Sequence, residues 1–166
     1  MKQICLAVAL CLAGWAVQAQ NYQLHSVFMY SFTRYVQWPE EAAAGDFEIH
    51  VLGDSPITAE LKKMAQSKKV GERAIKVSNL TAVGDIKKCN ILFVPSEKMA
   101  QLPDVLTKVG ANATLVVTEQ VGAGLKGSCI NFVEKDGKLA FEINQAAMNK
   151  QRLKASTELM RFGIVI

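Results

Sequence analysis

Phe47-Glu48-Ile49-His50-Val51-Leu52-Gly53-Asp54-Ser55-Pro56 decides the fold class. Its first six residues form a short, mostly apolar run of strand length, and turn residues follow at once. Gly53-Asp54 breaks the strand, and Ser55 is a residue type that caps helices. Pro56 suits a first helical turn, where its missing N–H removes no hydrogen bond. A strand feeding straight into a helix is the repeating unit of an α/β sheet, so a helix is predicted from Pro56 to about Gln66.

The same alternation recurs on either side. Arg73 to Val77, Ile91 to Val94 and Thr114 to Thr118 read as strands, and Glu97 to Lys108 as a helix interrupted by Pro103. Upstream, Leu24, Val27, Phe28, Phe32, Tyr35 and Val36 recur at spacings of three and four, which predicts a helix over Asn21 to Gln37 that stops at Trp38-Pro39. Downstream, Cys129 to Val133 and Lys138 to Ile143 flank Asp136-Gly137, a dipeptide of tight hairpin turns. Asn144 then opens a helix to about Gln151, and Ser156 caps another that ends near Gly163. Leu159, Met160, Phe162, Ile164 and Val165 are expected in the core. The predicted class is α/β: a mainly parallel sheet flanked by helices on both faces, with a C-terminal antiparallel hairpin.

The start of the chain bears on the compartment. Lys2 precedes an apolar run from Ile4 to Val17, and Val17-Gln18-Ala19 offers the small residues of a cleavage site, so residues 1–19 are read as a signal peptide. That run is too short for a membrane helix, and no membrane insertion is expected. Cys11 lies inside the run behind Leu10, which argues against a lipid anchor. Removing nineteen residues from 166 leaves 147, and losing Lys2 takes the net charge from +4 to +3. Residues 20–166 then make one domain, able to bury about 68% of its unfolded surface. A charge this mild gives no case for nucleic acid.

Cys89 and Cys129 remain in a compartment that oxidises thiols. Each opens its own predicted strand, so strand order decides between one disulfide and two buried free thiols.

Familiar chemical signatures fail one by one. Gly122-Ala123-Gly124-Leu125-Lys126-Gly127 spells a dinucleotide fingerprint, but a strand follows it where a helix is required, so it reads as a loop. His50, Asp54 and Ser55 lie too close along one extended chain to fold back into a hydrolytic triad, although a small-molecule contact at Asp54 and Ser55 fits the end of a strand. His25 falls on the apolar face of the first helix and reads as a core histidine. No cofactor, metal-ligand spacing or catalytic residue is found. Near the C-terminus, Met148 and Leu153 alternate with Lys150, Gln151, Arg152 and Lys154. Apolar anchors in a charged rim can hold another protein, and the plainer alternative is that both pack on the sheet.

Four stretches together resemble one family. Phe28-Met29-Tyr30-Ser31-Phe32-Thr33-Arg34-Tyr35-Val36-Gln37-Trp38-Pro39, Ile49 to Pro56, Lys88 to Val94, and Gly137-Lys138-Leu139-Ala140-Phe141-Glu142-Ile143-Asn144-Gln145-Ala146-Ala147 followed by Leu153, Ser156 and Leu159 are similar to the YfiR/HmsC-like periplasmic regulators. The resemblance implies a non-enzymatic repressor that binds the periplasmic domain of an inner-membrane diguanylate cyclase and lowers cyclic-di-GMP and biofilm formation. It also implies an OmpA-like outer-membrane lipoprotein that sequesters the repressor, and a homodimer. Carried over by position, the partner surface falls on Gln145, Ala147, Met148, Asn149, Arg152, Leu153 and Arg161, with Leu153 as an anchor. Better-known members carry two cysteine pairs, whereas this sequence keeps one cysteine of each, Cys89 and Cys129. The competing readings are a periplasmic small-molecule-binding sensor centred on Asp54 and Ser55, and an exported hydrolase.

Overall fold

The computed structural model describes residues 22–166, and the signal peptide read over residues 1–19 lies outside them. Helix α1 covers residues 22–35. After it come β1 (Val36–Gln37), β2 (Phe47–Leu52), α2 (Ile57–Ser67), β3 (Lys69–Val70), β4 (Arg73–Leu80), β5 (Ile91–Val94), α3 (Leu102–Val109), β6 (Leu115–Thr118), β7 (Ile130–Lys135), β8 (Lys138–Ile143), α4 (Gln145–Lys150), β9 (Lys154–Ala155), α5 (Thr157–Phe162) and β10 (Ile164–Val165). Among these described residues no helix is long and apolar enough to cross a membrane.

Eight strands form one sheet in the order β10-β8-β7-β6-β5-β2-β4-β3. Its middle is parallel: β2 pairs with β4 and β5, β5 with β6, and β6 with β7. The chain thus goes outward from β2 to β4, then crosses back to β5 and continues to β7, which makes the gap between β2 and β5 a topological switch point. Right-handed crossovers in opposite directions lay α2 on one face and α3 on the other. Helix α1 joins the face of α2, where the Tyr30 hydroxyl donates to the Lys69 carbonyl at 3.3 Å and the Lys68 ammonium lies 5.7 Å from the Tyr30 ring centre.

Alternation along the strands sorts their side chains by face. Register aligns Ile49 with Ile91 and Leu115, and Val51 with Phe93 and Val117, and all six are fully buried. Ile130 and Phe132 continue that row toward α1, where Phe32 lies 5.9 Å from Phe132 and 5.2 Å from Phe141 between ring centres. The β7–β8 hairpin turns at Asp136 and Gly137, with φ of 54° and 70°. Both positive values are what a two-residue type I′ turn demands, and Asp-Gly meets the demand cheaply.

Several expectations need correction. Val36–Gln37 pairs antiparallel with Lys154–Ala155 in a small second sheet, so α1 gives way to β1 before Trp38. Pro103 sits in the first turn of α3, behind a 3-10 segment over Ser96–Gln101, and opens the helix without interrupting any. Ser55 is no side-chain cap: α2 starts without one, and the Ser55 carbonyl accepts from Thr58 N at 3.0 Å. Leu159 is buried, yet Phe162 and Val165 are 72% and 47% exposed, because α5 and β10 lie at the open edge of the sheet. The thiols of Cys89 and Cys129 are free and buried. Strand β6 separates β5 from β7, which keeps the two cysteines at least about 10 Å apart, beyond the reach of a disulfide.

Candidate functional site

Two places collect the residues singled out from the sequence. The first follows β8. Asn144 Oδ1 accepts from Ala147 N at 2.8 Å and starts α4, Arg152 turns the chain at φ 58°, and Ser156 Oγ accepts from Leu159 N at 3.2 Å to start α5. Between these caps, pairing of β9 with β1 ties the segment to the end of α1.

Met148 and Leu153 are only 1% and 0% exposed, so the plainer expectation holds and neither projects as an anchor. They form the floor of a groove of about 340 Å³ whose rim includes Gln145, Asn149 and Met160. Gln145, Asn149, Arg152 and Arg161 are exposed, and Ala147 is half-buried. Arg152 turns away from the groove: its guanidinium pairs with Glu41 and donates to the Ala111 carbonyl at 3.1 Å. Hydrogen bonds from its own backbone and from Arg152 hold the Glu41 carboxyl below its usual range. Ala147 borders a different depression, with Lys126 and Lys150.

The second place is the C-terminal end of the parallel strands, at the switch point. Gly53 has φ +77°, and an added Cβ would stand 2.5 Å from Lys98 Cε, so the lysine stem crosses the backbone just where β2 ends. Asp54 is exposed there. Ser55 Oγ is buried without a hydrogen-bond partner, although it stands near enough to the Tyr22 hydroxyl to lower the phenol's pKa slightly.

Tyr22 leads to a group around Glu119, of which the sequence singles out only His25, as a core histidine. Its hydroxyl donates to Glu119 Oε1 at 3.3 Å, Ser96 N donates to the same oxygen at 3.3 Å, and His25 Nε2 lies 3.7 Å from Glu119 Oε2. The Glu119 side chain is 9% exposed. Burial raises its pKa to about 7, with Glu97 adding to the rise and the Ser96 and Tyr22 hydrogen bonds opposing it. Burial and then Glu119 itself push the Tyr22 phenol up to about 12. His25 also packs edge-on to Phe132, 4.2 Å between ring centres. These groups line a cavity of about 410 Å³ under the N-terminal end of α1.

Other combinations stay apart. His50 points to the sheet face opposite α1, with Nε2 3.8 Å from Glu48 Oε2, so it does not meet Ser55. Burial pushes both cysteine thiols up to about 12, which leaves them poor nucleophiles. Among the described residues no three His, Cys, Asp or Glu side chains gather as metal ligands would.

Comparison with known proteins places this architecture. Among solved structures it is similar to the ABC domain in complex with L-Trp from Streptococcus pneumonia, with a TM-score of 0.51 and 12% identity over 72% of this chain and 55% of that one. At that identity the likeness shows the fold alone, and this chain spans about half the length of the other. No curated protein matches the sequence. Residues 22–163 match the model of one family, from the start of α1 to the glycine after α5, and the chain therefore belongs to the YfiR/HmsC-like family.

Proposed function

We propose that the protein is a periplasmic regulator that binds the sensor part of an inner-membrane diguanylate cyclase and represses cyclic-di-GMP synthesis, and with it biofilm formation. The observation that carries this reading is the family match across residues 22–163. An OmpA-like outer-membrane lipoprotein relieves the repression by sequestering the regulator, which acts as a homodimer after export and loss of residues 1–19. No step of this requires turnover of a substrate.

The groove behind α4 is the surface assigned to the cyclase. Its apolar floor at Met148 and Leu153 is rigid because both side chains belong to the core, and its rim at Gln145 and Asn149 is polar and accessible. Arg161 lies on the exposed side of α5, which follows β9. An interface of this kind uses shape and a polar rim more than a projecting anchor.

A doubly substituted Asn149→Arg, Arg161→Glu chain tests the assignment, since both positions are exposed and neither supports the core. Expected is a loss of cyclase repression of about tenfold or more, equivalent to about 1.4 kcal/mol of binding, with an unchanged circular dichroism spectrum. Full repression by this variant would remove the groove from the account.

A further inference from the structure

The cavity beneath the start of α1 has no part in the cyclase reading, and its chemistry is specific. It lies at the C-terminal end of a parallel sheet beside the switch point, where strand ends of open α/β sheets leave a crevice. A volume of about 410 Å³ falls in the range of small-molecule sites. Tyr22, Phe132 and Leu139 supply aromatic and apolar wall. Glu97, Glu119 and Glu134 face Lys138 and His25 across the cavity, so carboxylates dominate its potential.

We propose that this cavity binds a small organic monocation with an apolar body, its ammonium on Glu119 and its body against Tyr22 and Phe132.

Glu119 is the reason for a cation. No lysine or arginine of the described residues pairs with it, and the His25 imidazole, with Nε2 3.7 Å from Oε2, is within ion-pair reach only when protonated and is too far for a good hydrogen bond. A buried carboxylate in that position gains most from an ammonium, which supplies both a charge and N–H donors. The aromatic ring of Tyr22, which lines the cavity, favours a cation over an anion. A ligand that carried its own carboxylate would bring it against Glu97 and Glu134, so amines are favoured over zwitterionic amino acids.

Binding is coupled to a proton. The groups facing Glu119 are Tyr22 and His25 from α1, Glu97 and the Ser96 amide from the segment after β5, and Glu134 and Lys138 from the β7–β8 hairpin. With its pKa raised to about 7, the carboxyl is largely protonated at pH 6 and largely ionised at pH 8. An incoming ammonium selects the ionised form, so the proton leaves to solvent and affinity rises with pH.

Calorimetric titration of the purified protein with phenethylamine, at pH 6 and pH 8, tests the site. Expected is binding about tenfold tighter at pH 8, because the ionised fraction of a group titrating near 7 rises by about that factor between the two. Phenylalanine, which adds a carboxylate to the same skeleton, should bind at least about tenfold more weakly. Glu119→Gln should lose both the binding and its pH dependence while keeping the wild-type circular dichroism spectrum, and Asp104→Asn, exposed on α3 away from the cavity, should change neither. Equal or tighter binding of phenylalanine, unaltered phenethylamine binding by Glu119→Gln, or no heat up to about 5 mM amine at pH 8 would each overturn the proposal.

Discussion

Glu119 sits where burial and pairing pull against each other, and the balance has a sign that can be measured. Burial pushes its carboxyl up to about 7, from an ordinary value of 4.5. Between those values the folded chain keeps a proton that the unfolded chain has released, so stability falls as pH rises through the window. Glu119→Gln removes that cost. The variant should be more stable than wild type at pH 8, on the order of 2 kcal/mol or several degrees in Tm, and nearly equal to it at pH 4. Thermal unfolding at the two pH values checks this, and equal Tm values at pH 8 would contradict it. Leu153 gives a contrasting case. Its side chain is fully buried, so Leu153→Asp would put an unpaired charge in the core and cost more than about 3 kcal/mol. Chemical denaturation should therefore show a global stability loss, whatever happens to partner binding. Cys89 and Cys129 are both buried and free, so a thiol reagent should label neither in the native protein and both once it is unfolded.

Secondary structure elements differ in how far their causes lie inside their own sequence. Asn144 is local: its side chain caps α4, and Asn144→Ala should lower the unfolding free energy by about 1 kcal/mol in urea titrations. The strand Phe47–Leu52, the strand Ile91–Val94 and the hairpin at Asp136-Gly137 were equally legible, because buried parallel strands need apolar runs and the turn needs two positive φ values. Strands β1, β3, β9 and β10 have two residues each and no pattern of their own. They exist because a partner strand is near, so periodicity alone runs α1 on to Gln37 and places Phe162 and Val165 inside. The groove was half legible: residues 145–153 held the right segment, while the direction of Met148 and Leu153 depended on packing. Glu119 gave no signal, since a glutamate after a strand becomes unusual only when α1 and the segment after β5 close over it.

At the level of the entire chain, α1 links the two places that the fold offers for recognition. Its N-terminal end carries Tyr22 and His25 to the cavity, and its C-terminal end passes into β1, which holds β9 beside the groove. Fourteen residues of helix separate them by about 21 Å. The aromatic cluster of Phe28, Phe32, Phe132 and Phe141 fastens the helix between these ends, and Phe32→Ala should cost about 3–5 kcal/mol. Loss of both proposed binding functions in that variant would follow from unfolding, and circular dichroism separates this from a local effect. The regulatory reading is tested most directly in cells of the native host lacking this chain, by measuring intracellular cyclic-di-GMP by mass spectrometry. The account predicts a rise on deletion, reversed by the wild-type chain and not by Asn149→Arg, Arg161→Glu; an unchanged cyclic-di-GMP level on deletion would contradict it.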